Sequence, residues 1–467
     1  MSDSGKSPSR SAFGSHLGFI LVAAGCSIGL GNVWRFPYIT GQCGGAAFCL
    51  IYLLFLILLG LPLMTVELAI GRASKQSVST AFRVLTPGTR RWNVISLIGI
   101  VGKYVLLSFY GVVTGWLLYY TGHILQGDFN DLSTVEVSKK FDALLASPSD
   151  QFFSALAVLF VSCLICYRGV RSGVEKATKP AMLGMLVIMV FLAVYAMTLD
   201  GAGGGLEFYL KPNLENIEKI GFWQVVSEAM NQVFFSLSIG VGCISIFGSY
   251  VEKTHSLLKD GAMIVALDTV VALISGLIIF PLCFSFGVQP DKGPNLIFHT
   301  LLNLFSQMPH GQVLGFLFFL FLTLAALTTL VAVVEGIVAD NIDMFGSKRA
   351  SASLITFLVL VLLSVPTILG FNVWKDFHPL GGGSNVMDLM DFLISNNLLP
   401  LGALFMVIFC VSRHGWNWSG YVTEMLWGRH VDETSFRYRF MKFYFTYGLT
   451  FLIAAVLTMG YVSRFIG

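Results

Sequence analysis

Apolar segments long enough to cross a lipid bilayer recur along the whole chain, and this leaves room for very few folds. Eleven can be placed, at roughly 15–38, 46–71, 94–122, 151–167, 177–199, 222–250, 259–287, 311–345, 351–371, 386–413 and 438–463. Lipid offers no hydrogen-bond partner, so each backbone N–H and C=O must be satisfied inside its own segment, and runs of this length can do that only as helices. With 55% hydrophobic and 12% charged residues, the composition excludes a soluble globular chain. An all-α, polytopic membrane protein of eleven transmembrane helices is expected, with the lipid bilayer as a partner and no nucleic acid.

Charge in the loops sets the orientation. Arg72, Lys75, Arg83, Arg90 and Arg91 follow the second segment without an acid, and Arg168, Arg171, Lys176 and Lys179 stand against Glu175 after the fourth. The positive-inside rule puts both loops in the cytoplasm, together with the polar tail over 1–14 that carries Lys6 and Arg10. The loop with Asp128, Asp131, Glu136 and Asp142 then lies outside, and eleven crossings leave the C-terminus outside a plasma membrane. The first apolar stretch has membrane length and no small-residue cleavage site after it, so no cleaved signal is expected. Eight cysteines, nearly all in apolar segments, argue against a disulfide framework.

One stretch breaks the apolar pattern. Gly25-Cys26-Ser27-Ile28-Gly29-Leu30-Gly31-Asn32-Val33-Trp34-Arg35-Phe36-Pro37 places glycines, small polar residues and a cation halfway through the first span. Each glycine weakens a helix by roughly 1 kcal/mol relative to alanine. Helix packing accounts for small residues, yet it explains neither Asn32 nor Arg35 at this depth. Opened backbone in a membrane lines a cavity or is buried in protein, so the stretch reads as a site. The sixth segment repeats the theme in Gln232-Val233-Phe234-Phe235-Ser236-Leu237-Ser238-Ile239-Gly240-Val241-Gly242. Two broken helices five apart point to a five-plus-five inverted repeat, with helices 1 and 6 broken and a midplane site between the halves. The halves would be 15–199 and 222–413, followed by one additional helix at 438–463.

Other polar residues fall inside spans. Asp268 has no basic neighbour in sequence, and uncompensated intramembrane acids are functional by default; the Glu67 carboxylate, also inside a span, needs a partner or a proton. Tyr110 needs an acceptor for its hydroxyl. Thr328 and Thr329 offer hydroxyls, which in helices often bond back to the preceding turn.

These residues closely resemble the signature of the neurotransmitter:sodium symporter family. The resemblance is carried by Gly29-Leu30-Gly31-Asn32-Val33-Trp34-Arg35-Phe36-Pro37, by Gly44-Gly45-Ala46-Ala47-Phe48, by Phe235-Ser236-Leu237-Ser238 and by Leu327-Thr328-Thr329, in order over nearly the whole chain. Eleven spans resemble the shorter bacterial members. The resemblance implies sodium-coupled symport of an amino acid by alternating access, with no enzymatic activity and two sodium ions. One ion would be held by Ser27, Asn32, Ser236, Asp268 and the substrate carboxylate; the other by the carbonyls of Gly25, Ile28 and Ala325 with the hydroxyls of Thr328 and Thr329. The substrate carboxylate would meet the amides of Leu30 and Gly31 and the Tyr110 hydroxyl, its ammonium the carbonyls of Ser27, Phe235, Ser236 and Ser238. Leu106, Phe235, Val241, Thr329 and Val333 would line an apolar side-chain pocket, suited to aliphatic and aromatic L-amino acids. An outer gate would pair Arg35 with Asp391 above Tyr110 and Phe235. An inner gate would pair Arg10 with Asp343, near Phe13, Ser249 and Tyr250.

Two departures sharpen the reading. Monoamine carriers of the family have an aspartate where this chain has Gly29, so the ligand should bring its own carboxylate. Chloride-requiring members place a serine one turn beyond an asparagine in the seventh helix; here Asp268 takes the asparagine position and Ala272 the serine position. Chloride-independent transport is expected, and Asp268 could take up a proton on the return step, giving proton counter-transport. The competing expectation is a proton-coupled carrier of the same fold in which Asp268 or Glu67 titrates.

Overall fold

The computed structural model describes residues 13–130, 132–288, 295–428 and 432–465. Every regular element among the described residues is helical. We number the elements that carry the argument. The first segment is α1 (His16–Ser27) and α2 (Phe36–Gln42), joined through a π-helical turn over Gly31–Arg35 and bent by 55°. The next spans are α3 (Ala46–Ser74), α4 (Asn93–Gln126), α5 (Pro148–Tyr167) and α6 (Val170–Met197). The sixth segment divides into α7 (Phe222–Leu237) and α8 (Cys243–Tyr250). Then follow α9 (Leu257–Ser285), α10 (Gly311–Phe345), α11 (Arg349–Leu369), α12 (Val386–Val411) and α13 (Phe436–Val462).

Nine of these helices are each long and apolar enough to span, and the bent α1–α2 pair makes a tenth. The sixth segment falls short by length, because its break divides it into pieces of 16 and 8 residues. The second break is built into the backbone. Ser238, Gly240 and Gly242 all have positive φ, at 52°, 111° and 75°. At Gly240 a Cβ would also lie 2.0 Å from the carbonyl oxygen of Leu399, so only glycine fits there.

The most buried span is α10, packed by α1, α4, α5 and α6, whereas α13 lies at the rim. The two threonines of interest therefore sit at the centre of the bundle. Charged residues tie it together. Arg72, counted from sequence as a loop cation, is instead fully buried in the last turn of the α3 span, where its Nε donates to Glu424 at 2.6 Å. Lys103 of α4 and Asp340 of α10 form a second buried ion pair. Removing one partner of such a pair leaves a lone buried charge, worth about 3–5 kcal/mol. All eight cysteines are buried and stand outside any disulfide.

Candidate functional site

The break in the first helix begins where Ile28 turns to extended backbone (φ −71°, ψ 101°). The Gly29 amide, which a continuous helix would donate to Gly25, goes to the Asn32 side-chain oxygen at 3.2 Å. The Gly25 carbonyl is thereby released. It receives the Thr329 hydroxyl at 3.0 Å, and so does the Ile28 carbonyl at 3.0 Å. Thr328 donates to the Ala325 carbonyl at 2.9 Å, the back-bonding that an isolated helix also allows. The five oxygens expected for one ion thus converge between α1 and α10. The Gly25 and Ile28 carbonyls share the single Thr329 hydroxyl proton, so this cluster is short of donors, which suits a cation.

The second group joins both broken helices to α9. The Asn32 amide donates to Ser236 Oγ at 3.1 Å, to the Asp268 carbonyl at 3.0 Å and to Asp268 Oδ1 at 2.9 Å. Ser236 Oγ donates to Asp268 Oδ2 at 2.6 Å, and Tyr52 donates to Ser236 at 3.3 Å. Asn32, Ser236 and Asp268 are all fully buried. Ser27, expected to contribute its carbonyl, sends its hydroxyl across the two breaks to the Leu237 carbonyl at 3.2 Å. The set joins α7, α9 and the first break through hard oxygen donors with one formal negative charge, a composition that fits one alkali cation.

Between the two breaks lies a small cavity lined by Ser27, Gly29, Leu30, Gly31, Leu106, Tyr110, Phe235, Ser238, Thr329, Ile394 and Leu399. The Leu30 amide donates to the Tyr110 hydroxyl at 3.3 Å. A Cβ on Gly29 would stand 2.5 Å from that hydroxyl and 2.7 Å from Thr329 Oγ1, so a side chain here would collide with both. The lining corrects part of the expected pocket. Val241 is not in it: its side chain packs on α4 at Gly102, where a Cβ would meet it at 2.4 Å. Val333 is buried on α10 and does not line the cavity, while Ser236, expected to offer its carbonyl, sends its hydroxyl to Asp268. Ile394 and Leu399 of α12 take their place.

Leu30, Tyr110 and Phe235 also face a much larger vestibule of about 890 Å³, lined further by Trp34, Arg35, Tyr38, Glu228 and Asp391. Tyr110 and Phe235 therefore form the partition between the two spaces. Arg35 and Asp391 are not in direct contact: the guanidinium donates to Ser395 Oγ at 3.3 Å, which donates to Asp391 at 2.8 Å. The guanidinium carbon sits 4.7 Å from the centre of the Phe235 ring, a cation–π arrangement. At the opposite end of the bundle, Phe13 packs on Phe19, Phe247 and Tyr250 with ring centres 5.7, 6.4 and 5.8 Å apart. Asp343 accepts from the Ser77 amide at 2.6 Å; Arg10 lies outside the described residues.

Residues 10–131 and 133–463 match the family described as "SNF: Sodium:neurotransmitter symporter family". This chain is a member of that family. An uncharacterized sodium-dependent transporter of Bacillus subtilis, YhdH, is 33% identical over 454 residues, covering 96% of this chain and 98% of its own. The sodium- and chloride-dependent taurine transporter of Rattus norvegicus is 26% identical, covering 87% and 72%. Among solved structures, the crystal structure of MhsT in complex with L-phenylalanine superposes with a TM-score of 0.87 at 33% identity, covering 97% of this chain and all of that one.

Three features of this sodium symporter family member escaped the sequence reading. Glu335 of α10 accepts both guanidinium nitrogens of Arg349, at 2.8 and 2.7 Å, and the Tyr250 hydroxyl at 2.9 Å, next to the Phe13 cluster. Lys103 pairs with Asp340. Both were findable, since each is a charge inside an apolar run, the rule that singled out Glu67 and Asp268. Ile394 and Leu399 carried no signal, being apolar residues in an apolar helix. Glu67 itself is fully partnered. Its Oε1 accepts the amides of Gly240 (2.5 Å) and Gly242 (3.3 Å), its Oε2 those of Ile244 and Ser245 (3.1 Å each). The carboxylate caps the start of α8, where orphan amides and the helix dipole favour an anion.

Proposed function

We propose that this chain is a secondary active symporter that carries hydrophobic L-amino acids, aliphatic to aromatic, with sodium and without chloride, by alternating access. The observation that carries the proposal is the cavity between the two breaks. On one side the Leu30 amide and Tyr110 hydroxyl offer donors to a carboxylate. Opposite, Leu106, Phe235, Ile394 and Leu399 offer apolar walls to a side chain. The carbonyls of Ser27, Phe235, Ser236 and Ser238 would take the ammonium. With no room for a side chain at Gly29, the ligand supplies its own carboxylate. The likeness to MhsT, crystallised with L-phenylalanine, supports the aromatic end of the range.

Two sodium ions would accompany the substrate. The Asn32–Ser236–Asp268 group would hold one and the cluster around Thr329 the other. Asp268 supplies the compensating negative charge that chloride-dependent relatives take from the medium. Glu67 is the weaker candidate for proton coupling, because four donated amides use the acceptor capacity of an ionised carboxylate and a proton would displace one of them. Asp268 remains the group that would carry a proton on the return step. Two sodium ions with a zwitterion move two charges, about 4.6 kcal/mol per 100 mV, enough for accumulation on the order of a thousandfold.

In the orientation read from loop charges, the N-terminus is cytoplasmic and the C-terminus extracellular. The vestibule then faces outward, with Arg35, Ser395 and Asp391 as its latch and the Phe13 cluster closing the inner side. The repeats at 15–199 and 222–413 would move against each other around the site. The test is uptake of radiolabelled L-amino acids into proteoliposomes under an inward sodium gradient, compared with equal potassium or proton gradients. Accumulation only with sodium, strongest for leucine, phenylalanine and tryptophan and unchanged when gluconate replaces chloride, is the expected result. Accumulation driven by protons alone would overturn it.

A further inference from the structure

Three residues from separate elements meet where α1 begins. His16 is the first residue of α1, His255 lies in the turn between α8 and α9, and Asp260 is in the first turn of α9. The His16 and His255 rings stack, with centres 4.2 Å apart and planes within 4°. His16 Nε2 lies 2.9 Å from Asp260 Oδ1, and one ligand atom from each of the three residues lies within 4.8 Å of the others. None of the three belongs to the cavity or to the two oxygen clusters.

We propose that His16, His255 and Asp260 form a binding site for a divalent transition metal, Zn²⁺ by preference. Two imidazoles and a carboxylate are the donors such an ion takes, with water completing a tetrahedron. Bonds of about 2.0 Å in a tetrahedron set ligands about 3.3 Å apart. Stacked rings direct their in-plane lone pairs along parallel planes, so coordination requires His16, whose side chain is 38% exposed, to turn out of the stack toward Asp260 and His255. A simple hydrogen-bonded latch needs only His16 and Asp260. It assigns nothing to the stacked His255, and it leaves Asp260 Oδ2, buried in a residue 2% exposed, without a donor among the described residues. A metal ion uses both.

The frame around the site is held on both flanks, since the Gly14 amide and Ser15 hydroxyl just before His16 donate to Glu175 at 2.6 and 3.1 Å. The His255 carbonyl accepts Arg72 Nη1 at 2.6 Å, and Arg72 is held in turn by Glu424. His16 itself rides on α1, which is separated from α2 by the 55° bend. The ion would therefore cross-link α1 to the start of α9 and hold this end of the bundle closed. That consequence rests on the alternating-access reading; metal binding does not.

The two are separated by measuring each. Calorimetric titration of ZnCl₂ into the EDTA-stripped full-length protein in detergent should show one saturable site per chain. His16→Ala and His255→Ala should each weaken it by about tenfold or more. His16→Cys, which restores a zinc ligand, should keep it and guards against a folding artefact. In proteoliposomes, Zn²⁺ on both faces should slow uptake, EDTA should restore it, and the double alanine variant should be insensitive. No saturable binding in the native protein, or unchanged binding in the double variant, would overturn the site. Binding with unimpaired uptake would overturn the lock. If no amino acid is taken up under any gradient, the symport reading fails and the calorimetry still decides the site.

Discussion

Replacing Glu67 by glutamine tests how the second break is held. In the native protein the carboxylate accepts four backbone amides, two on each oxygen, and so satisfies the start of α8. The amide keeps one oxygen and turns an NH₂ toward two of those donors. Whichever way it is oriented, two buried N–H groups lose their acceptor and face another donor. Hydrogen bonds to a charged group contribute about 1.5–3 kcal/mol each, so losing two costs about 3–6 kcal/mol. Weakening the remaining pair by removing the charge adds to this. The assay is the melting temperature of Glu67→Gln in detergent with and without sodium, alongside sodium-driven uptake. A drop of several degrees with loss of uptake is expected, and Glu67→Asp should be intermediate because its shorter stem cannot reach both pairs. A Glu67→Gln protein that melts with the native one and transports with the pH dependence removed would refute the reasoning. Glutamine would then be mimicking a protonated working state, and the proton-coupled alternative would gain.

Asn32→Ala and Thr328→Ala should each abolish sodium-dependent uptake while leaving the protein folded, read as loss of sodium-dependent binding of labelled substrate by scintillation proximity. Gly29→Ala should reduce substrate binding by an order of magnitude or more, because its Cβ would lie 2.5 Å from the Tyr110 hydroxyl and 2.7 Å from Thr329 Oγ1; unchanged affinity would contradict the cavity geometry. Arg349→Ala removes both guanidinium contacts to the buried Glu335. Cys166, whose carbonyl also accepts from Arg349 at 2.7 Å, should then be alkylated by maleimide faster than in the native protein, read site by site by mass spectrometry.

How far the sequence could be read depended on what each residue's signal was. Membrane-length apolar runs fix helices almost by necessity, and polar or glycine residues inside them are anomalies visible without a structure. Hence the two breaks, Glu67, Asp268 and the paired threonines were legible, and the structure brings Asn32, Ser236 and Asp268 within hydrogen-bond distance of one another. Partnership was not legible. Nothing in the string says that Glu67 faces the second break rather than a substrate, that Arg72 is buried against Glu424, or that Ser395 stands between Arg35 and Asp391. These depend on helix rotation and crossing, which periodicity does not give when spans are apolar on every face. The same blindness misplaced Val241. One residue past Gly240 in positive-φ backbone, its direction is set by the turn, and the turn aims it at Gly102.

The arrangement suggests why both breaks must be held by different chemistry. The polar join of the first to α10 runs through the Thr329 hydroxyl, shared between the Gly25 and Ile28 carbonyls, so on the proposed sodium reading a cation there would strengthen its closure. The second is pinned to α3 by a fixed carboxylate on four amides, which needs no ion and keeps α8 in place throughout. On that reading a sodium-sensitive joint beside a sodium-independent one would give α1 freedom that α8 lacks. Sodium should therefore slow maleimide labelling of Cys166, and Thr329→Val, which removes the hydroxyl joining Gly25 to Ile28, should erase that protection without changing the effect of Arg349→Ala. Equal protection by sodium in Thr329→Val would mean that closure does not run through this cluster.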